Sequence, residues 1–203
     1  MKKLVLIYEG DTELEFYSKA IRKLIYPNTG KIKLGKKNLK SSSGINRKVK
    51  EILGDLITKN LKNNAEADSL YIMIVHDRDG GFSKESSLNI TKIRTDFLDE
   101  KAYKTFMIDE IVATKELESW YLYDMDGIYD YLNVPKKKRK MNIFNNPHQY
   151  KSSDLISFCR KHKKEYSKGK KSQELINCLN IDYIYENCVE FKTGINNIIQ
   201  RMK

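Results

Sequence analysis

Four carboxylates, Glu9, Asp11, Glu13 and Glu15, fall within seven consecutive residues of the stretch IYEGDTELEFY at 7–17. Packed that closely they repel one another, and the arrangement costs free energy unless a cation or a basic partner offsets it. A second acidic bend, HDRDGG at 76–81, sets Asp77 and Asp79 two positions apart, ahead of Gly80 and Gly81. Glycine lets the backbone double back, so one bend can turn both carboxylates toward the same ion. Oxygen ligands without imidazole or thiolate neighbours suit Mg2+ or Mn2+, and Mg2+ is usually completed by water and substrate phosphate. Each bend also has a local reading. Thr12 with Glu15 three residues on spells a capping box for a helix start, and Asp and Gly favour turns for their own reasons. An EF-hand is disfavoured: the glycine falls too early, and Leu88 stands where the bidentate Glu belongs.

Whether the two bends meet depends on the elements that carry them. KLVLIY at 3–8 and SLYIMIV at 69–75 are apolar runs of strand length, the pattern of strands buried on both faces, and each runs straight into an acidic bend. Apolar positions at helical spacing predict a helix from Thr12 to Ile25, closed by Pro27, Asn28 and Gly30, and a second from Ile45 to Leu61. A short strand is expected at 31–35, an exposed basic loop at 36–44, a helix over 86–98, a strand at 103–108 and a helix over 115–124. Strands alternating with helices predict an α/β domain over about 1–125 with a mainly parallel sheet flanked by helices. In such a sheet ligands gather beyond the carboxyl ends of the strands, where strand order reverses. Residues 126–203 read as a basic, mostly helical region packed on that domain, with helices near 153–166, 170–179 and 186–202.

Bulk composition narrows the function classes. A chain of 203 residues with 40% hydrophobic and 32% charged residues describes a soluble globular protein with a highly charged surface. No apolar run approaches the roughly 20 residues of a membrane helix, and Glu9 ends the N-terminal run before a signal-peptide core is reached, so a cytoplasmic location without a membrane partner is expected. Cys159, Cys178 and Cys188 form no CxxC pair and read as reduced, mostly buried thiols. His76, His148 and His162 form no HExxH-like pair, which predicts structural or surface roles and disfavours a transition-metal hydrolase. Net charge is +11; residues 136–203 hold 16 basic against 6 acidic side chains, the rest 22 against 21. That imbalance points to a polyanion, DNA or RNA first, although lysine-rich chains also arise from AT-rich genomes. The run Lys136, Lys137, Lys138, Arg139, Lys140 is the densest part of it, readable as a phosphate grip or as a solvated loop.

Glu9-Gly10 with Thr12-Glu13, followed by Asp77-x-Asp79, resembles the Toprim domain shared by topoisomerases, bacterial primases, OLD-family nucleases and a small ribosomal-RNA maturase. The resemblance covers about the first 125 residues. Glu116-Leu-Glu118-Ser-Trp120 and Tyr166-Ser-Lys168-Gly169 are further similar to segments of small Toprim-like proteins associated with bacterial and phage defence. The resemblance implies a Toprim-like, Rossmann-like sheet and a catalytic set of Glu9, Glu13, Asp77 and Asp79. Glu9 takes the place of the general acid/base or metal ligand. Asp77 and Asp79 take those of the metal-binding aspartates, and Glu13 that of the second acidic position of OLD-type nucleases. Glu118 is the candidate for a later metal ligand, with Glu116 the runner-up; both also read as a solvated helix start beside a buried Trp120.

The chain has no room for a topoisomerase's second domain or a primase's template-handling parts. The expectation is therefore an Mg2+- or Mn2+-dependent phosphodiester hydrolase, a nuclease with Lys136–Lys140 and Lys168 holding nucleic acid. The alternative is a non-catalytic nucleic-acid-binding or regulatory subunit. The chain lacks a GxxxxGK[ST] phosphate loop, so any ATP-driven step belongs to an ATPase or other defence-system partner. A homodimer is compatible with either.

Overall fold

The computed structural model describes residues 2–30, 32–40, 44–62, 69–78, 88–98 and 103–203. Asp79, Gly80, Gly81, Lys31, Ser41–Ser43 and the start of the helix expected at Ser86 lie outside these residues.

Four strands, β1 (Lys2–Tyr8), β2 (Ile32–Asn38), β3 (Leu70–Asp77) and β4 (Phe106–Ala113), form one all-parallel sheet in the order β2-β1-β3-β4. The chain is thus an α/β protein with a Rossmann-like parallel sheet flanked by helices. After β1 it moves to one side to make β2, then crosses to the other side to make β3, so strand order reverses between β1 and β3. Their registers run Lys3↔Leu70 through Ile7↔Ile74, which brings their carboxyl ends side by side. Strands buried on both faces explain the unbroken apolar runs: Leu4, Leu6, Met73 and Val75 face one core, Val5, Ile7, Ile72 and Ile74 the other.

The second core is covered by α3 (Ile45–Lys62) and α4 (Ile90–Asp96). The first core is larger. It takes α1 (Asp11–Ala20), a π-helical turn at Ile21–Ile25, α2 (Tyr26–Thr29), α5 (Glu118–Tyr121) and α6 (Met125–Tyr131). It also takes α7 (Ser152–Lys161), α8 (Gln173–Cys178), α9 (Ile181–Asn187) and α10 (Val189–Met202). Phe16, Tyr17, Trp120 and Phe191 form its aromatic centre, so residues from the first helix and the last share one apolar interior. Helix α10 packs directly on β4, where Gly194 lies so close to Ile111 that a Cβ would sit 2.7 Å from its side chain. Among the described residues no helix is long and apolar enough to cross a membrane.

Several elements depart from the sequence expectation for physical reasons. The first helical segment runs on past Pro27, which occupies a first-turn position where its missing N–H is harmless, and stops at Gly30 with φ +77°. Strand β2 extends through Lys36 and Lys37, and Leu39 behind it is buried, so the exposed loop expected from Lys36 begins later. The fourth strand lies further along the chain than 103–108, because Asp109 is accommodated inside it. Arg94 Nη2 at 2.7 Å and Arg201 Nε at 3.0 Å pair with that carboxylate, which is 5% exposed. The helix expected over 115–124 splits into the short α5 and α6, with Asp124 capping α6 by accepting from Gly127 N.

Candidate active site

The site is built at the carboxyl ends of β1 and β3. Helix α1 opens at Asp11 with Gly10 as its N-cap, and Glu13 reaches back so that Gly10 N donates to Glu13 Oε2 at 2.9 Å. This corrects the capping pair read from the sequence. Thr12 is buried, and its Oγ1 accepts from Gly169 N at 2.7 Å, while Glu15 accepts from Gln173 Nε2. Of the four crowded carboxylates, Glu9, Asp11 and Glu13 line a cleft of about 320 Å³ that Asp77, Glu116, Lys168 and Gly169 complete. Glu15 turns away toward a separate groove with Lys19 and Arg22.

Asp77 is the last residue of β3 and accepts from Leu117 N at 2.9 Å. That bond ties the segment after β4 to the end of β3 and delivers Glu116 and Glu118 to the same place. Both are site residues; the solvated helix start proposed for them does not describe Glu118, which is 1% exposed.

The element Tyr166-Ser-Lys168-Gly169 closes over these carboxylates. Tyr166 OH donates to Glu118 Oε1 at 3.2 Å. Lys168 Nζ lies 3.0 Å from Glu116 Oε2 and 3.3 Å from Glu118 Oε2. Gly169, with φ +85°, turns the chain so that its N–H meets Thr12. Ser152 N donates to Glu116 Oε2 at 3.0 Å, adding the start of α7 to the frame.

The electrostatics follow from burial and crowding. Burial, reinforced by Glu13 and Glu118, pushes the Asp77 carboxyl up to about 8 against the pull of Lys168 and the Leu117 N–H. Glu13 is raised chiefly by burial, with Glu118 and Glu9 adding to it. Glu118 is raised by burial, opposed by Lys168. For Glu116 burial also works upward, but hydrogen bonds from Ser152 and Lys168 outweigh it and the carboxyl lies below its usual range. Burial disfavours the Lys168 ammonium, yet Glu118, Glu116 and Asp77 together hold it above its ordinary value. Burial and mutual repulsion thus raise Glu13, Asp77 and Glu118, while Glu116 is held low by Ser152 and Lys168. The carboxylates stand apart around it: among the described residues, no three of them bring ligand oxygens within 4.8 Å of one another.

Glu9, Glu13, Asp77 and Glu118 are therefore brought together, with Asp79 outside the described residues. Lys168, expected with Lys136–Lys140 to hold nucleic acid, lies in this acidic cleft, paired with Glu116 and Glu118. Lys136, Lys137 and Lys138 form an exposed turn, and Lys140 is exposed beside them. Arg139 turns inward, its guanidinium paired with Asp126 and Asp130 and placed over the Tyr129 ring. Asp11, read only as one of the crowded carboxylates, and Thr12, read only as a motif and capping residue, join the site, and Ser152 joins it without having been read from the sequence. The contacts of Thr12 and Ser152 run to positions at least 36 residues away, which no spacing rule reaches.

Fold and site together define an α/β protein with an acidic cleft at the switch point of a parallel sheet. The chain belongs to the DUF4276 family, described as a domain of unknown function, whose model matches residues 8–198. No curated protein and no solved structure matches it.

Proposed function

We propose that the protein is an Mg2+- or Mn2+-dependent phosphodiester hydrolase acting on nucleic acid, in keeping with its Toprim-like motifs. The observation that carries this reading is the convergence of Glu9, Glu13, Asp77, Glu116 and Glu118 around Lys168 at the carboxyl ends of β1 and β3. The donor set fits a hard cation: the groups are carboxylates, no imidazole or thiolate lines the cleft among the described residues, and burial with crowding favours a positive partner.

Glu9, Glu13, Asp77 and Glu118 are the residues that would hold the ion, with Asp79 added by sequence. Bound there, a divalent cation supplies charge stabilisation at a phosphoryl oxygen and a more acidic water. The protein's own groups do the rest. Asp77, anchored by Leu117 N, fixes the spacing between the β1 and β4 sides. Lys168 holds Glu116 and Glu118 in place and presents an ammonium where negative charge develops on the phosphate. Tyr166 stays a neutral donor and orients Glu118, its phenol raised by burial and by the Glu118 charge.

Lys136, Lys137, Lys138 and Lys140 supply exposed charge for a polyanion. A defence role, with an ATPase or another defence-system protein as partner, is part of the same proposal and rests on the motif resemblance.

One observation favours a second reading. Lys168 already neutralises two of the carboxylates within the chain, as expected of a nucleic-acid-binding subunit that keeps the scaffold without catalysis. Incubating the protein with labelled single- and double-stranded DNA and RNA, in Mg2+, Mn2+ or chelator, decides between them. Divalent-dependent cleavage supports the hydrolase. Salt-sensitive binding without cleavage in any condition supports the subunit.

A further inference from the structure

A second group of ligating side chains lies on the α10 side of the segment between β4 and α5. His148, Cys188 and Glu190 each offer a ligand atom, and these atoms lie within 4.8 Å of one another. Cys188 is the N-cap of α10 and Glu190 sits in its first turn, so one helix start supplies two of the three; His148 comes from the turn Pro147–Gln149. We propose that His148, Cys188 and Glu190 form a three-ligand Zn2+ site.

Three observations carry it. First, the imidazole is already oriented as a ligand. Tyr123 OH bonds His148 Nε2 at 2.6 Å, leaving Nδ1 buried without a hydrogen-bond partner and 3.6 Å from Glu190 Oε2. An outer partner on one ring nitrogen, with the other nitrogen aimed inward, is the usual arrangement around a bound metal. Second, the spacing fits. Tetrahedral Zn2+ with bonds of about 2.0–2.3 Å to N, O and S sets ligand atoms roughly 3.3–3.6 Å apart. The His148–Glu190 edge has that length, and 4.8 Å bounds the others, so closure needs movement of about 1 Å. Third, the donors are those of a borderline-soft ion: a thiol, an imidazole and a carboxylate, quite unlike the oxygen set of the acidic cleft. Burial pushes the Cys188 thiol up to about 12, against the backbone N–H groups of Phe191 and Glu190 that face the sulfur, so its proton is released to solvent only as the ion binds.

Of the three ligands, Glu190 also lines a cleft of about 360 Å³ with Arg78, Thr114, Thr193 and Asn197, and water would supply the fourth ligand. Glu190 also accepts from Thr114 N at 3.3 Å and from Trp120 Nε1 at 3.1 Å. Zn2+ at Glu190 therefore braces the segment that carries Glu116 and Glu118.

The test uses the full chain stripped with chelator and titrated with Co2+ as a coloured stand-in, then with Zn2+. One equivalent of Co2+ should give a thiolate-to-cobalt charge-transfer band in the near ultraviolet, displaced by one equivalent of Zn2+. The band should vanish in Cys188→Ser and in His148→Gln, and persist in Cys178→Ser and Asp77→Asn. His148 is partly exposed and its replacement leaves the core intact, so His148→Gln informs even if Cys188→Ser folds poorly; circular dichroism checks both. A wild-type protein without the band, or a band that survives either ligand replacement in a folded protein, overturns the proposal. None of these readouts depends on nuclease activity.

Discussion

Lys168 Nζ stands 3.3 Å from Glu118 Oε2, a partly exposed ammonium against a carboxylate that is 1% exposed. Removing the ammonium leaves Glu118 buried without its counter-charge. For a fully buried pair that costs about 3–5 kcal/mol; with Lys168 46% exposed and water able to take its place, Lys168→Met should lower stability by roughly 1–2 kcal/mol. Cleavage should fall about 100-fold in kcat with KM little changed, because the ammonium meets charge that develops only during reaction. Denaturant melts and steady-state kinetics on one preparation check both parts.

Asp77 gives a pH-dependent prediction of unusual sign. Its folded pKa, about 8, lies above the ordinary 3.8. Between those values the unfolded chain has lost the proton and the folded chain keeps it, so this group's contribution to stability falls as pH rises from about 4 to 8. Asp77→Asn keeps the acceptor for Leu117 N and removes that liability. In chelator at pH 7.5 it should be more stable than wild type by about 1–3 kcal/mol, roughly 3–10 °C in Tm. The difference should shrink toward pH 4. Added Mg2+ should raise the wild-type Tm and leave the variant nearly unchanged. Calorimetry across the pH range provides the comparison.

The basic run should separate into two roles. Lys136, Lys137 and Lys138 replaced together by Ala should weaken nucleic-acid binding and flatten its dependence on log salt by up to about 2.7, at about 0.9 for each duplex phosphate no longer neutralised. Arg139→Ala should instead lower Tm while the salt slope stays close to wild type, since its guanidinium serves Asp126, Asp130 and Tyr129. Binding titrations at several salt concentrations, paired with thermal melts, distinguish the two.

Gly194 tests the seating of the C-terminal helix on the sheet. A methyl there meets Ile111 at 2.7 Å with the sheet behind it. Gly194→Ala gains helix propensity but should still destabilise by about 1–3 kcal/mol through overpacking, measured by urea denaturation. Ile111→Val in the same chain should recover part of the loss.

Much of the frame was legible because burial on both faces leaves a plain mark: β1 and β3 are unbroken apolar runs ending in acidic residues. Helix α3 was legible from its spacing. β4 was obscured where Asp109 enters it, since the arginines that make this tolerable come from α4 and α10. Pro27 misled because a first-turn proline reads like a terminator. At the site, Glu9, Glu13 and Asp77 could be named from type and order, and Glu118 only through the resemblance to Toprim-like proteins. The position of Lys168 could not, because among basic residues only the folded arrangement shows which one turns toward an acidic cleft. His148, Cys188 and Glu190 were equally hidden, the first two standing 40 positions apart.

The acidic cleft, on this reading, holds a divalent cation for phosphodiester cleavage. The most direct measurement compares wild type and Asp77→Asn for Mg2+- or Mn2+-dependent cleavage of labelled nucleic acid, with binding measured on the same samples. Cleavage by wild type alone, abolished by chelator, with binding retained in the variant, is the predicted result. Equal cleavage by both proteins, or cleavage indifferent to chelator, would contradict it.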